Sequence, residues 1–339
     1  MEIRKVQITG GSSFVITLPK EWAAAQKIKK NDPLGLVVQP DGTLLVTRDV
    51  TEGQFQREKV FDITNLEEPA FLFRLLVGAY IAGFTNIRIT SKSRLTASVS
   101  MVVRDFTQMA IGPEVVEETE NTIVLKDLLN PAEMPFDNTI RRMFVIVKNM
   151  QLDAINALES RDKGLTDDVI ARDNDVDRLH WLIARQTNII LKNPSLARKM
   201  DISTNKVVNT YIISRIIERI GDHAVRIMEN EKRISSFTIN KDIITAIRKA
   251  ATLALSIFDK SIVLFFKKDL KASHQNIEQV HDLEDLCENI NTLAMEEDPV
   301  MAISLRNIAE SIRRSGEYAG DISENVINYL VEEPVPARK

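Results

Sequence analysis

From Pro135 onward, apolar residues recur at helical spacing in six amphipathic stretches, roughly 137–160, 165–193, 203–232, 239–267, 271–295 and 298–332. They fall into two sets of three. Two five-residue words, Glu218-Arg-Ile-Gly-Asp222 and Glu317-Tyr-Ala-Gly-Asp321, sit on the third and sixth stretches. Matching the first stretch with the fourth aligns Asp153 with Asp259. Matching the second with the fifth aligns Val176-Asp177-Arg178-Leu179 with Leu283-Glu284-Asp285-Leu286. A tandem repeat of three helices with short loops predicts an all-α antiparallel bundle, residues 135–235 for the first three-helix repeat and 236–335 for the second.

The upstream residues have other periods. Residues 58–134 read as a small α/β domain: a strand at Lys59–Ile63, then a helix signalled by Asn65, Glu67, Glu68 and Pro69 that runs to Gly83. A strand at Thr85–Ser91, a helix at Leu95–Ala110 and a hairpin across Glu120-Asn121 complete the order βαβαββ. Gly83 fits a helix C-cap. No phosphate-cradling Gly-rich loop and no nucleophile-base pair occurs here, which leaves a ligand domain or a spacer. Residues 1–57 are β-rich, with strands at Ile3–Thr9, Phe14–Leu18, Leu34–Val38 and Thr43–Thr47, a Pro40-Asp41-Gly42 turn, and a short helix over Lys20–Lys27 after Pro19. A β unit this short, with no disulfide, needs another surface to bury, most simply a second copy of itself.

The formal net charge of -4 argues against a chain that coats nucleic acid all over. Cys287 is the sole cysteine, which excludes intrachain disulfides and multi-cysteine metal sites and fits a reducing compartment. No run reaches the ~18 apolar residues of a membrane span, so no membrane insertion is expected. Met-Glu-Ile-Arg-Lys-Val at the start is unlike a signal peptide, and the expected location is cytoplasmic.

Positions four apart on a helix are neighbours at about 5–6 Å, so each word sets two carboxylates side by side, an arrangement that repels unless a cation neutralises it. Oxygen donors of this kind suit hard cations. On the second helix Asp173, Asp177 and His180 share a face, and on the fifth His281, Glu284, Asp285 and Glu288 do, so each repeat can assemble three to five donors from two helices. Relative to the Ile213, Ile216, Ile217, Ile220, Ala224, Ile227 stripe, Glu218 and Asp222 are expected to be accessible. Gly221 and Gly320, each costing about 1 kcal/mol in mid-helix, imply a close approach at that point. His223 is expected to pack at a helix interface.

A local basic patch occupies residues 1–30: Arg4, Lys5, Lys20, Lys27, Lys29 and Lys30 against Glu2 and Glu21. Doubled in a homodimer, such cations supply sequence-independent DNA affinity, although a solvated rim explains the charge equally well.

At these words the helical half, about residues 137–332, resembles the PhoU family of phosphate-uptake regulators. The resemblance implies divalent or ferric metal (Fe, Zn, Mg or Mn) on the acidic faces. It also implies partnership with a phosphate ABC transporter ATPase or an associated signalling protein. The family word continues to an Asn four residues after the Asp. Asn325 fits, whereas Arg226 puts a cation where the first word would have its amide. The metal candidates are therefore Glu218, Asp222, Glu317, Asp321, Asp173, Asp177, Glu284, His281 and Asn325. The segment Val6–Trp22 resembles a SpoVT/AbrB-type domain, implying a β-rich swapped-hairpin dimer in which Arg4, Lys5, Ser12, Ser13 and Lys20 contact DNA. The whole arrangement resembles archaeal PhoU-like regulators.

The expected function is a non-enzymatic regulator of phosphate uptake that binds metal and DNA. A transporter-docking module in which the N-terminal domain only dimerises is the alternative. A di-metal enzyme is a third reading, disfavoured because such sites use inward Glu-x-x-His words that are missing beside Glu218 and Glu317.

Overall fold

A computed structural model describes residues 2–38, 42–48, 57–66, 68–130, 133–193, 196–197 and 200–332. The chain divides into two compact units, Met1–Phe55 and Gln56–Lys339. Pro40 and Asp41 of the expected turn, and Glu67 of the expected helix signal, lie outside the described residues.

In the first unit, β1 (Gln7–Thr9) pairs antiparallel with β2 (Ser13–Val15), and β3 (Gly35–Val38) with β4 (Leu44–Thr47). Gly10 and Gly11, with φ of +62° and +84°, supply the left-handed backbone that closes the first hairpin. Helix α1 (Lys20–Ala25) follows Pro19. The first two strands are shorter than the alternating runs Ile3–Thr9 and Phe14–Leu18, pairing only from Gln7–Val15 to Thr9–Ser13. None of the described residues of this unit is buried, and Ile8 (66% exposed) and Phe14 (77%) lie open. The unit has strands but no core.

The second unit begins with a four-stranded sheet of order β5-β6-β8-β7, formed by β5 (Glu58–Asp62), β6 (Asn86–Thr90), β7 (Pro113–Glu118) and β8 (Thr122–Asp127). β5 and β6 are parallel, and the other two pairings are antiparallel. The parallel pair is joined by α2 (Pro69–Ile81), and α3 (Ala97–Met109) precedes β7, so the βαβαββ order holds. The first helix starts at Pro69 rather than beside Asn65, since Pro at N1 sacrifices no hydrogen bond. Gly83 ends the turn after α2 with φ +86°, and a Cβ there would lie 2.8 Å from Ile189 Cγ1.

Six long helices follow: α4 (Phe136–Ser160), α5 (Lys163–Lys192), α6 (Thr204–Arg233), α7 (Lys241–Lys267), α8 (Leu270–Ala294) and α9 (Pro299–Glu332). Four have side-chain N-caps, Asp162, Ser203, Asn240 and Asp269, each accepting from a backbone N–H of the first turn. Helix α6 packs against α4, α5 and α9, and α9 against α6, α7 and α8. The third helix of each repeat is thus central. One apolar cluster runs through both repeats, from Val147 and Ile217 to Ile257 and Ile312.

The sheet domain is joined to the bundle through α5 rather than standing off as a spacer. Trp181 of α5 packs against the sheet core and meets Phe73 edge-on. Four residues on, Arg185 is 1% exposed. Its guanidinium donates to the Tyr80 carbonyl and to Asp127 Oδ2, both at 2.5 Å, and lies over the Tyr80 ring.

Candidate functional site

Helices α5 and α6 bring four carboxylates to one seam: Asp173 and Asp177 from α5, Glu218 and Asp222 from α6. Gly221 lies at the crossing, where a Cβ would sit 3.4 Å from Val147 Cγ2 and 3.8 Å from Asp173 Oδ1, which is ordinary contact, so the close approach expected at this glycine is not required. At Gly320 a Cβ would come within 3.1 Å of Val280 Cγ2 on α8, a tight approach by a neighbouring helix.

Glu218 is buried, at 7% exposure, which corrects the expectation of an accessible acid. The apolar stripe marks the face α6 turns to one neighbour, but three helices surround it and leave little of its circumference open. Glu218 Oε1 accepts from Arg215 at 2.7 Å, whereas Glu218 Oε2 and Asp173 Oδ1 are buried without a hydrogen-bond partner. Burial, then the Asp222 charge, pushes Glu218 up to about 7. Burial and the neighbouring acids likewise push Asp173 and Asp177 up to about 6. Asp222 is raised mainly by burial, against the pull of Arg226, Arg215 and Arg219. These groups share one unfavourable field, which a proton or a cation relieves.

The donors are hard oxygens, two of them unpartnered, and this chemistry fits a hard cation. Among the described residues no three His, Cys, Asp or Glu side chains already converge on one point, so closing on an ion requires rotamer changes.

The second repeat differs. Glu317 is held on one oxygen by Arg313 and on the other by Arg314 at 3.1 Å, and both arginines also bind Glu310. This network was legible in the sequence, since arginines three and four residues before an acid lie on its face. Asp321 is exposed at the helix surface, and its pKa is raised by partial desolvation from the surrounding helices and then by Glu324 and Glu317. Asn325 donates its amide to the Asp321 carbonyl at 2.9 Å. His281, Glu284, Asp285 and Glu288 are all exposed on α8, and His281 lies 3.5 Å from Glu284. The repeat that keeps the Asn thus has arginine where a cation was expected. The repeat with Arg226 in its place holds the more strained acids.

His180 is buried, hydrogen-bonds Ser214 at 3.0 Å and stacks on Tyr211, with burial and Arg215 pushing it down to about 4. His223 packs against Tyr318 between α6 and α9, as expected, and burial with Arg226 beside it pushes it down to about 4. Cys287 is buried and its thiol is pushed up to about 12, mainly by burial.

On the N-terminal unit Arg4, Lys5, Ser12, Ser13 and Lys20 are all exposed, Ser12 in the β1–β2 turn and Ser13 opening β2. Arg4 is engaged by Glu2 at 3.1 Å.

Comparisons with known proteins agree with this division. Residues 7–53 match the family described as antidote-toxin recognition MazE, bacterial antitoxin. A phosphate-specific transport system accessory protein PhoU homolog from Clostridium acetobutylicum is 24% identical over 198 residues, spanning 56% of this chain and 88% of the relative. A PhoU crystal structure from Streptococcus pneumoniae, titled a phosphate transport system regulatory protein, superposes with a TM-score of 0.52 at 15% identity. It covers 60% of this chain and 96% of its own. PhoU from Pseudomonas aeruginosa gives 0.52 at 19%, covering 59% and 96%. Both show the same fold. The PhoU domain model itself matches 140–230 and 247–326, once on each three-helix repeat and over about half of the sequence, and on that match the chain belongs to the PhoU family.

Proposed function

We propose that the protein is a non-enzymatic regulator of phosphate uptake whose bundle works on a phosphate transporter component and whose α5–α6 seam takes up a divalent or ferric cation. The observation that carries the ion reading is the seam itself. Four acids with raised pKa values, two with buried unpartnered oxygens, are held together at the expense of the apo-protein. An ion bound there would neutralise that field, with Glu218, Asp222, Asp173 and Asp177 as its donors.

The two repeats differ in what their acids already hold, so they differ in the expected effect of mutation. Glu218→Gln with Asp222→Asn is expected to abolish ion binding measured by elemental analysis and calorimetric titration with Mn²⁺, without lowering the melting temperature. Glu317→Ala with Asp321→Ala is expected to leave most binding in place, because arginines already neutralise Glu317. Full ion binding in the first double variant would sink the assignment.

The N-terminal unit is assigned to dimerisation with a second copy of this chain and to DNA contact through Arg4, Lys5, Ser12, Ser13 and Lys20. Its open apolar residues support the dimer, and the basic excess supports the DNA contact. The docking-module reading, in which the unit only dimerises, draws on Arg4 being partnered already by Glu2. Gel-shift titration across 50–200 mM salt separates the two. DNA binding is expected to weaken steeply with salt and to drop with Lys5→Ala and Lys20→Ala, whereas a salt-insensitive or undetectable shift from a stable dimer leaves only the clasp.

A further inference from the structure

Adjoining the acidic seam, from the residue after Asp222 to three turns further along α6, a second groove has the opposite chemistry. Positions 223, 226, 230 and 233 of α6 and 307, 311, 314 and 318 of α9 repeat at helical spacing and line a cavity of about 550 Å³. Three of the side chains are guanidinium groups. Arg314 is bonded to Glu310 and Glu317 within its own helix. Arg226 and Arg233 form no side-chain hydrogen bond or ion pair with any described residue; Arg226 feels the Asp222 carboxyl one turn back, but the donors of both planar forks, two helical turns apart, are uncommitted.

One further observation points to a ligand. His223, 5% exposed, lines the cavity and has its Nδ1 buried without a partner, a condition that native interiors avoid. Asn307 donates to Asn230 at 3.1 Å and so ties the two helices across the groove. Of the lining acids, Glu310 is taken up by Arg313 and Arg314, and only Glu229 is left without an ion pair.

Unpaired arginine forks match the tetrahedral, multiply charged oxygen set of a phosphate better than a single carboxylate, which one fork satisfies. A cavity of this volume falls within the roughly 300–1,000 Å³ of small-molecule sites and leaves room beyond a lone oxyanion. Glu229 accepts hydroxyl protons and the asparagines exchange hydrogen bonds with them. We propose that the α6–α9 groove binds a phosphorylated small molecule bearing hydroxyl groups, a sugar phosphate or nucleotide, with its phosphate on Arg226 and Arg233. This site lies between the two repeats, where one ligand touches the third helix of each.

Calorimetric titration of the full chain in EDTA, which removes the seam ion from the question, tests this with ribose 5-phosphate, AMP, ribose, adenosine and inorganic phosphate. Binding is expected for at least one ester and for neither dephosphorylated counterpart. Ribose 5-phosphate as tight as AMP identifies the sugar phosphate as the recognised part, and AMP alone identifies the nucleotide. Arg233→Ala, an exposed position, is expected to weaken the ester at least tenfold with an unchanged melting temperature. Arg226→Lys, which keeps the charge but loses the fork, is expected to weaken it several-fold. No heat with either ester, equal affinity for inorganic phosphate, or undiminished binding in Arg233→Ala would overturn the proposal.

Discussion

Arg185→Met is expected to destabilise the sheet-bundle unit by about 3–5 kcal/mol, the cost of leaving a buried charge without its partner. Asp127 is the stranded group, with only 5% of its side chain exposed, while the Tyr80 carbonyl keeps the Gly83 N–H at 3.0 Å. For a body of this size the melting temperature should fall by roughly 10 °C. The companion variant Asp127→Asn keeps an acceptor for the Leu129 N–H, which Asp127 Oδ1 binds at 3.0 Å, and removes the charge. Combining the two should recover most of the loss, since replacing both members of a buried pair is often close to neutral. A thermal scan of the single and double variants decides it. An Arg185→Met protein that melts with the wild type would show that the pair does not hold sheet to bundle.

The second large effect is in pH and ion. Asp173 and Asp177 titrate near 6 and Glu218 near 7 in the folded chain, above their unfolded values of about 4. Between those limits the folded state holds protons that the unfolded chain has given up. The stability these groups contribute is therefore fully present below about pH 4 and is lost as pH rises through about 6–7. Asp173 and Asp177 are half-exposed and screened by solvent, so the loss from pH 5 to pH 8 is discounted to roughly 2 kcal/mol, or about 4–8 °C. A cation at a hundred times its Kd should return about 2.7 kcal/mol at pH 8. Melting curves at both pH values, with and without Mn²⁺, provide the check. Stability that rises over this range, with no response to the ion, would refute the strained seam. In Glu218→Gln the pH dependence should flatten.

Much of the helical half was legible because its signals are local. Apolar periodicity set the six helix bounds to within a few residues, and in the structure the caps Asp162, Ser203, Asn240 and Asp269 stand at four of those bounds. The duplicated Glu-x-x-Gly-Asp words located the central helices. What escaped was whatever depends on how many neighbours a helix has. A stripe of isoleucines gives one buried face, but only assembly shows that α6 has three partners and that Glu218 goes under. The Arg185–Asp127 pair spans 58 residues, and nothing at either position marks it in the sequence. The Arg226–Arg233 groove was hidden for the same reason, since its other wall is 81 residues away at Asn307 and Arg314. The Arg313–Glu317 contact, by contrast, was within reach of simple helix spacing.

Helix α5 carries Asp173 and Asp177 on the seam and, two to three turns on, Trp181 and Arg185 in the sheet domain. At about 1.5 Å per residue, roughly 12 Å of continuous rod separates Asp173 from Trp181. The acidic seam and the clamp on the sheet are therefore two stations on one unbroken helix, and a substitution that displaces α5 at Asp173 is expected to be felt at Trp181 and Arg185.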